Sequence, residues 1–294
     1  ITHQLNFYSV EENQFKKIQA FSGTMWNIDT FPRFDRKTYE SDTDVRTTRL
    51  LLKNSSPKVG VLDFAADQTT VEAHVNKVLK ETHTGCGDCS IIDQAGLLKG
   101  FPNKEVAQKI LKLQSDSKEG VIYYTKDDLI YTKTSTGDGP ESSSSLPREE
   151  KSAFWDLPHT TGSDLKLGPR ERAVMIISKH TVIRDLYQGV WRLRGLATGQ
   201  KVDFVVTQED LNFMIQYLKE NLSMEVDSPD DFSLINLLFY LKVNEINRQS
   251  EMNFRAVKDM INEVYISRLF PKLLEDSSRS PEDSLYKKIN GFFY

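Results

Sequence analysis

The sequence predicts an α/β fold: a mostly parallel sheet with helices on both faces, followed by an all-helical extension. Three observations predict it. Short apolar runs recur at 58–64, 90–93, 120–124, 173–178 and 202–206, and strands buried on both faces read as continuous apolar stretches rather than alternating ones. Between the earlier runs lie segments whose apolar residues recur every three or four positions, the helical period. Beyond Thr207 only the helical period remains.

Taken in order, residues 11–20 form a short amphipathic segment that leads into Ala20-Phe21-Ser22-Gly23-Thr24-Met25-Trp26. Ser22-Gly23-Thr24 reads as a strand running into a tight loop, where glycine tolerates backbone angles that other residues do not; a plain turn explains the tripeptide as well. Residues 38–48 are charged and polar, the composition of a surface loop. The strand at 58–64 precedes a helix at 70–82 with Val71, Val75, Val78 and Leu79 on one face. The strand at 90–93 leads to Gly96 and Gly100. A second helix follows at 103–113, with Asn103 as N-cap and Val106, Ala107, Ile110 and Leu111 inward. The strand at 120–124 continues at 127–135 as a hairpin arm. Residues 136–150, with two glycines, two prolines and a serine run, read as a mobile loop.

Residues 154–206 organise the chain. A strand end at Trp155 opens into the polar loop Asp156-Leu157-Pro158-His159-Thr160-Thr161-Gly162-Ser163-Asp164, followed by the strand at 173–178. A helix-like segment then carries Gln188, Arg192 and Arg194 on successive turns before the strand at 202–206. In such sheets ligands bind beyond the carboxyl ends of the strands, so polar loops of this kind are where function sits. Helices are expected at 208–221, 231–249 and 252–274, with Leu234, Leu237, Leu238 and Leu241 as one apolar face and a polar tail after Glu275. Phe213, Tyr217, Phe232, Phe239, Tyr240, Phe254 and Tyr265 fall at helical spacings and are expected to pack in the core.

Composition narrows the function classes. A formal net charge of -4 argues against a surface built mainly to neutralise nucleic-acid phosphates. No apolar run approaches the roughly 20 residues of a membrane span. Cys86 and Cys89 alone cannot make a disulfide-rich scaffold, and no export leader is recognisable, so a cytoplasmic protein without membrane partners is expected. Ile1 is not an initiator Met, and the chain is expected to be a piece of a longer protein.

Three segments resemble the helicase-type motor fold. Ser22-Gly23-Thr24 resembles the Ser-Ala/Gly-Thr motif that closes a first RecA-like domain. Thr161-Gly162-Ser163-Asp164-Leu165-Lys166-Leu167 resembles the Gly-Thr-Asp motif of the second, as also seen in SecA-type translocation motors. Gln188-Gly189-Val190-Trp191-Arg192-Leu193-Arg194 resembles the Gln-x-x-Gly-Arg-x-x-Arg motif that contributes arginines to bound nucleotide. Trp191 stands where those motors have Gly, and the second Arg falls one position early, which weights Arg192 above Arg194. A longer match, reaching back to Ser22 and including Asp93-Gly96-Lys99-Gly100, is similar to the C-terminal region of very large fungal and bacterial proteins. These carry two adjacent domains of unknown function and the label ubiquitin carboxyl-terminal hydrolase. Their pattern Asp-x-x-His-Thr-x-Gly-Thr-Asp-Leu-Lys-Leu stands here as residues 156–167.

The resemblance implies the tail of a first RecA-like domain with a linker over 1–50, a RecA-like α/β domain over 51–207 and a helical extension over 208–294. It implies a motor half: Ser22, Gly23, Thr24, Thr161, Gly162 and Asp164 line a nucleotide cleft, with Gln188, Arg192 and Arg194 as catalytic residues. The chain has no G-x-x-x-x-G-K-[ST] phosphate loop. ATP and Mg2+ are therefore expected only with an upstream N-terminal RecA-like domain as partner, and no cofactor for the chain alone. Both nucleic acid and protein stay open as substrate, with the acidic balance leaning toward protein.

Two other classes stand beside this one. A ubiquitin-directed cysteine hydrolase needs a thiolate, a histidine and an orienting acid, for which Cys86 or Cys89, His159 or His83, and Asp156 or Asp93 are the candidates. A catalytically inactive RecA-like docking module needs none of these, and its arginines would serve helix-surface ion pairs. His83, Cys86 and Cys89 have the spacing of a zinc half-site, yet no second ligand pair accompanies them, so no metal site is expected.

Overall fold

A computed structural model describes residues 43–64, 70–80, 88–115, 117–226 and 228–275, with the backbone alone for 43–44 and 264–275. Its centre is an eight-stranded sheet: β1 (Gly60–Leu62), β2 (Ser90–Asp93), β3 (Gly120–Tyr124), β4 (Ile130–Thr134), β5 (Asp138–Pro140), β6 (Lys151–Trp155), β7 (Arg172–Ile177) and β8 (Lys201–Thr207). The strand order is β1-β8-β7-β2-β6-β3-β4-β5, parallel from β1 through β3, with β4 and β5 antiparallel at one edge. An α/β fold with a mostly parallel sheet is thus what the apolar runs encode.

Successive residues of the central strands face opposite sides, as the two-residue period of a strand requires. Ile92, Ile122, Trp155, Met175 and Phe204 join one apolar cluster; Ile91, Val121, Phe154, Val174 and Val205 join the other. The first side is covered by α1 (Thr43–Asn54), α4 (Ile183–Val190), α5 (Gln208–Leu222) and the beginning of α6 (Leu234–Glu275). The second is covered by α2 (Val71–Lys80) and α3 (Asn103–Leu113), which bury the valines and leucine expected of the one and Val106, Ala107 and Ile110 of the other. No helix among the described residues is long and apolar enough to cross a membrane.

Several expectations are corrected. Residues 43–48, the end of the segment 38–48 read as a surface loop, belong to α1, whose buried Leu51 joins the core. Asn103 is the first residue of α3 rather than its N-cap: Pro102 holds that position with no side-chain hydrogen bond, and the Asn103 amide donates to Tyr124 and Asp156. The segment 136–150 is ordered: β5 and two short 3-10 turns, Glu141–Ser143 and Arg148–Glu150, are fastened by Lys104–Asp138 (3.1 Å) and Lys151–Glu141 (2.8 Å) ion pairs. Helix α4 ends at Val190, so Arg192 and Arg194 lie in the turns beyond it rather than on successive helical turns. The last two expected helices are one, since residues 250–251 between them hold neither Gly nor Pro.

Of the aromatics expected in the core, Phe232 and Tyr240 are buried, whereas Phe213, Phe239 and Phe254 are exposed. Buried Leu211, Met214, Leu218 and Leu237 carry the sheet's own core across position 208. One compact unit runs to Asn244 and a second begins at Glu245.

Candidate functional site

From β2 the chain proceeds to β3 on one side, and from β7 to β8 on the other. The reversal falls between β2 and β7, and the carboxyl ends of strands at such a reversal are the usual ligand position in open parallel sheets. The last turn of α4 packs against β7 and the residue after β2. A Cβ on Gly189 would stand 2.4 Å from Met175 Cε and 3.1 Å from Gln94 Oε1, so glycine lets the helix come this near with the Met175 and Gln94 side chains where they are. Beyond it the chain runs on toward the start of β8, where Gly195 N–H donates to Gln200 Oε1 at 2.7 Å and Lys201 pairs with Arg172.

The loop after β6 supplies the second wall. Asp156 begins a 3-10 turn, Leu157–Thr160, that brings His159 back so that its Nδ1 hydrogen-bonds Asp156 Oδ1. The other Asp156 oxygen accepts from Asn103 Nδ2 at 2.9 Å, and the same amide donates to the Tyr124 carbonyl at 2.8 Å. The His159 ring lies flat on Tyr124, with centroids 3.9 Å apart and planes 7° apart. Its Nε2 faces Asp128 Oδ1 at 3.1 Å, across from an exposed turn residue with φ 59. Burial pushes the Tyr124 phenol above its ordinary range, opposed by a hydrogen bond to the Ser163 side chain.

Gly162, at φ +75, turns the chain into Ser163 and Asp164. Ser163 Oγ donates to the His159 carbonyl at 2.7 Å, and the Ser163 carbonyl accepts from Arg192 Nη1. Arg192 Nε donates to the Gln188 carbonyl at 3.2 Å. Arg194 Nε donates to Asp164 Oδ1 at 3.0 Å in a half-exposed pair. Burial holds the Arg192 guanidinium below its ordinary range, and the positive charge of Arg194 adds to the effect. The site therefore holds two mutually repelling guanidinium groups, one of them half-buried, with the Asp164 carboxylate partly offsetting the repulsion. Such a pair suits an anion, since the planar fork matches carboxylate and phosphate oxygens.

Thr161, Gly162, Asp164, Gln188, Arg192 and Arg194 are thus neighbours, and Asp156 and His159 are adjacent to them. Cys89 is not. It is buried at the amino-terminal start of β2, whereas His159 follows the carboxyl end of β6, the parallel neighbour of β2. Four residues of strand, about 13 Å at ~3.3 Å each, separate Cys89 from the end where the histidine sits. This corrects its pairing with His159. Ser22, Gly23, Thr24, His83 and Cys86 lie outside the described residues. Among the described residues, no group of three or more His, Cys, Asp or Glu side chains could hold a metal ion.

Three contributors were not read from the sequence in these roles: Asn103, Tyr124 and Asp93. Asp93 ends β2 and is buried; it accepts from the backbone N–H groups of Leu97 (2.9 Å) and Leu98 (2.7 Å). Burial pushes its carboxyl up to about 6, against those N–H groups and with a further push from Asp156. The available signal was an acid closing an otherwise apolar strand just before Gly96. No family model, curated protein or solved structure matches this chain.

Proposed function

We propose that this chain is the arginine-contributing half of a helicase-like, ATP-driven motor, a second RecA-like domain whose nucleotide site is completed by the phosphate loop of an upstream N-terminal RecA-like domain. One observation carries the reading: Arg192 and Arg194 sit side by side against the Gly162–Ser163–Asp164 loop that follows β6 in a parallel sheet. Arg192 is held by two backbone carbonyls, which use two of the five N–H groups a guanidinium has. An anion would offset both the desolvation of the Arg192 charge and its repulsion from Arg194. ATP and Mg2+ would bring the phosphate and metal charges; this chain's part is to hold Arg192 against the phosphates and to seat Arg194 beside it.

The test is ATP turnover by the full-length protein. Arg192→Ala is expected to lower it roughly 10³-fold, the size of effect such arginines have in phosphoryl transfer. Undiminished turnover would remove Arg192 from the mechanism and overturn the reading.

A specific observation also favours a second reading, a ubiquitin-directed cysteine hydrolase. The Asp156–His159 hydrogen bond is the orienter–base arrangement that such an enzyme needs. With Cys89 at the far end of β2, its nucleophile would be Cys86. Cleavage of a fluorogenic ubiquitin C-terminal amide by the purified chain, abolished by Cys86→Ala, would establish this reading; no cleavage by the wild-type chain removes it.

A further inference from the structure

Ser163 is tied on both sides. Its hydroxyl donates to the His159 carbonyl at 2.7 Å and hydrogen-bonds with the Tyr124 side chain, while its carbonyl takes Arg192 Nη1. His159 is itself fixed by Asp156 and by the face of Tyr124, and Asp156 by Asn103. Contacts thus run unbroken from the first residue of α3, through the turn after β6, to the guanidinium beyond α4.

We propose that Ser163 and His159 are positioning residues for Arg192: they hold the Ser163 carbonyl where it fixes the guanidinium before an anion arrives. The proposal rests on the motor reading and concerns the same site. A long side chain ordered in advance does not lose that freedom during the reaction. Removing the Ser163 hydroxyl frees the turn that carries the carbonyl, without touching Arg192 itself.

The experiment measures kcat and KM for ATP in the full-length protein carrying Ser163→Ala, Ser163→Thr, His159→Gln and Arg192→Ala, singly and combined. Ser163→Ala is expected to lower kcat about 10- to 100-fold, the size of a small misplacement of a reacting group, with KM little changed. Ser163→Thr keeps a hydroxyl and should restore most of the loss. His159→Gln, which removes the ring from Tyr124 but keeps Ser163, should show the same pattern if Ser163→Ala folds poorly. Neither change should cost more once Arg192→Ala is present, because a positioning residue has nothing left to position. Full turnover in both Ser163→Ala and His159→Gln, or losses that repeat undiminished beside Arg192→Ala, would overturn the proposal. Full turnover in Arg192→Ala would instead overturn the motor reading beneath it.

Discussion

Arg194 reaches back thirty positions to Asp164, Nε to Oδ1 at 3.0 Å, and so joins the segment after α4 to the loop after β6. Both side chains are about half exposed, at 49% and 58%. Water and salt screen such a pair, and holding two flexible side chains together costs entropy. Arg194→Ala or Asp164→Asn should therefore change unfolding free energy by less than about 1 kcal/mol. Urea denaturation checks this, and a loss above about 2 kcal/mol would mean the pair holds the fold.

Gly189→Ala should destabilise the chain by about 1–2 kcal/mol in the same measurement, although alanine is the better helix former by ~1 kcal/mol. The new methyl group would stand 2.4 Å from Met175 Cε. Met175 is fully buried, so its end can move only by displacing other core atoms. A variant as stable as wild type would show that α4 can lift from β7.

Asp93 makes stability depend on pH in a direction opposite to most carboxylates. Its folded-state value of about 6 lies above the ordinary 3.8. Between these two values the folded chain binds more protons than the unfolded one, so stability falls as pH rises. The contribution is fully present below about pH 4 and lost by about pH 6, on the order of 2–3 kcal/mol. Other groups titrate as well, so the quantity to measure is the difference between wild type and Asp93→Asn from pH 4 to 7. Wild type should lose ground against the variant as pH rises; a gain would reverse the assignment.

At the opposite edge of the sheet, Glu171 accepts from Ser90 Oγ at 2.7 Å and pairs with Lys118 Nζ at 2.5 Å. The Glu171 side chain is 1% exposed and that of Lys118 10%. Lys118→Met alone takes this cation from a buried carboxylate and should cost about 3–5 kcal/mol. Lys118→Met with Glu171→Leu should cost much less, since an apolar pair leaves no buried charge. Equal losses in the two proteins, measured by chemical denaturation, would contradict this account.

The sheet was legible because each central strand is buried on both faces, and burial leaves a direct mark on composition. Residues 90–93 and 120–124 could serve only as interior strands, and the valines of α2 mark its inner face through local periodicity. The ordered edge at 136–150 was not legible. Its glycines, prolines and serines are loop residues by local rules, and what orders it is Asp138 meeting Lys104 and Glu141 meeting Lys151. Asn103 misled for the same reason: its residue type suits an N-cap, but its amide found Asp156 and the Tyr124 carbonyl instead.

By itself the sequence determined the parallel α/β sheet and marked the two polar segments at 161–164 and 188–194, since apolar runs and their spacing are local properties. Tertiary structure alone decided that these segments touch, that Asn103 braces Asp156, and that Cys89 lies at the other end from His159. The first two contacts join residues 29 and 53 positions apart. No local preference encodes such distances; they exist only once the crossovers of the sheet have brought the segments together.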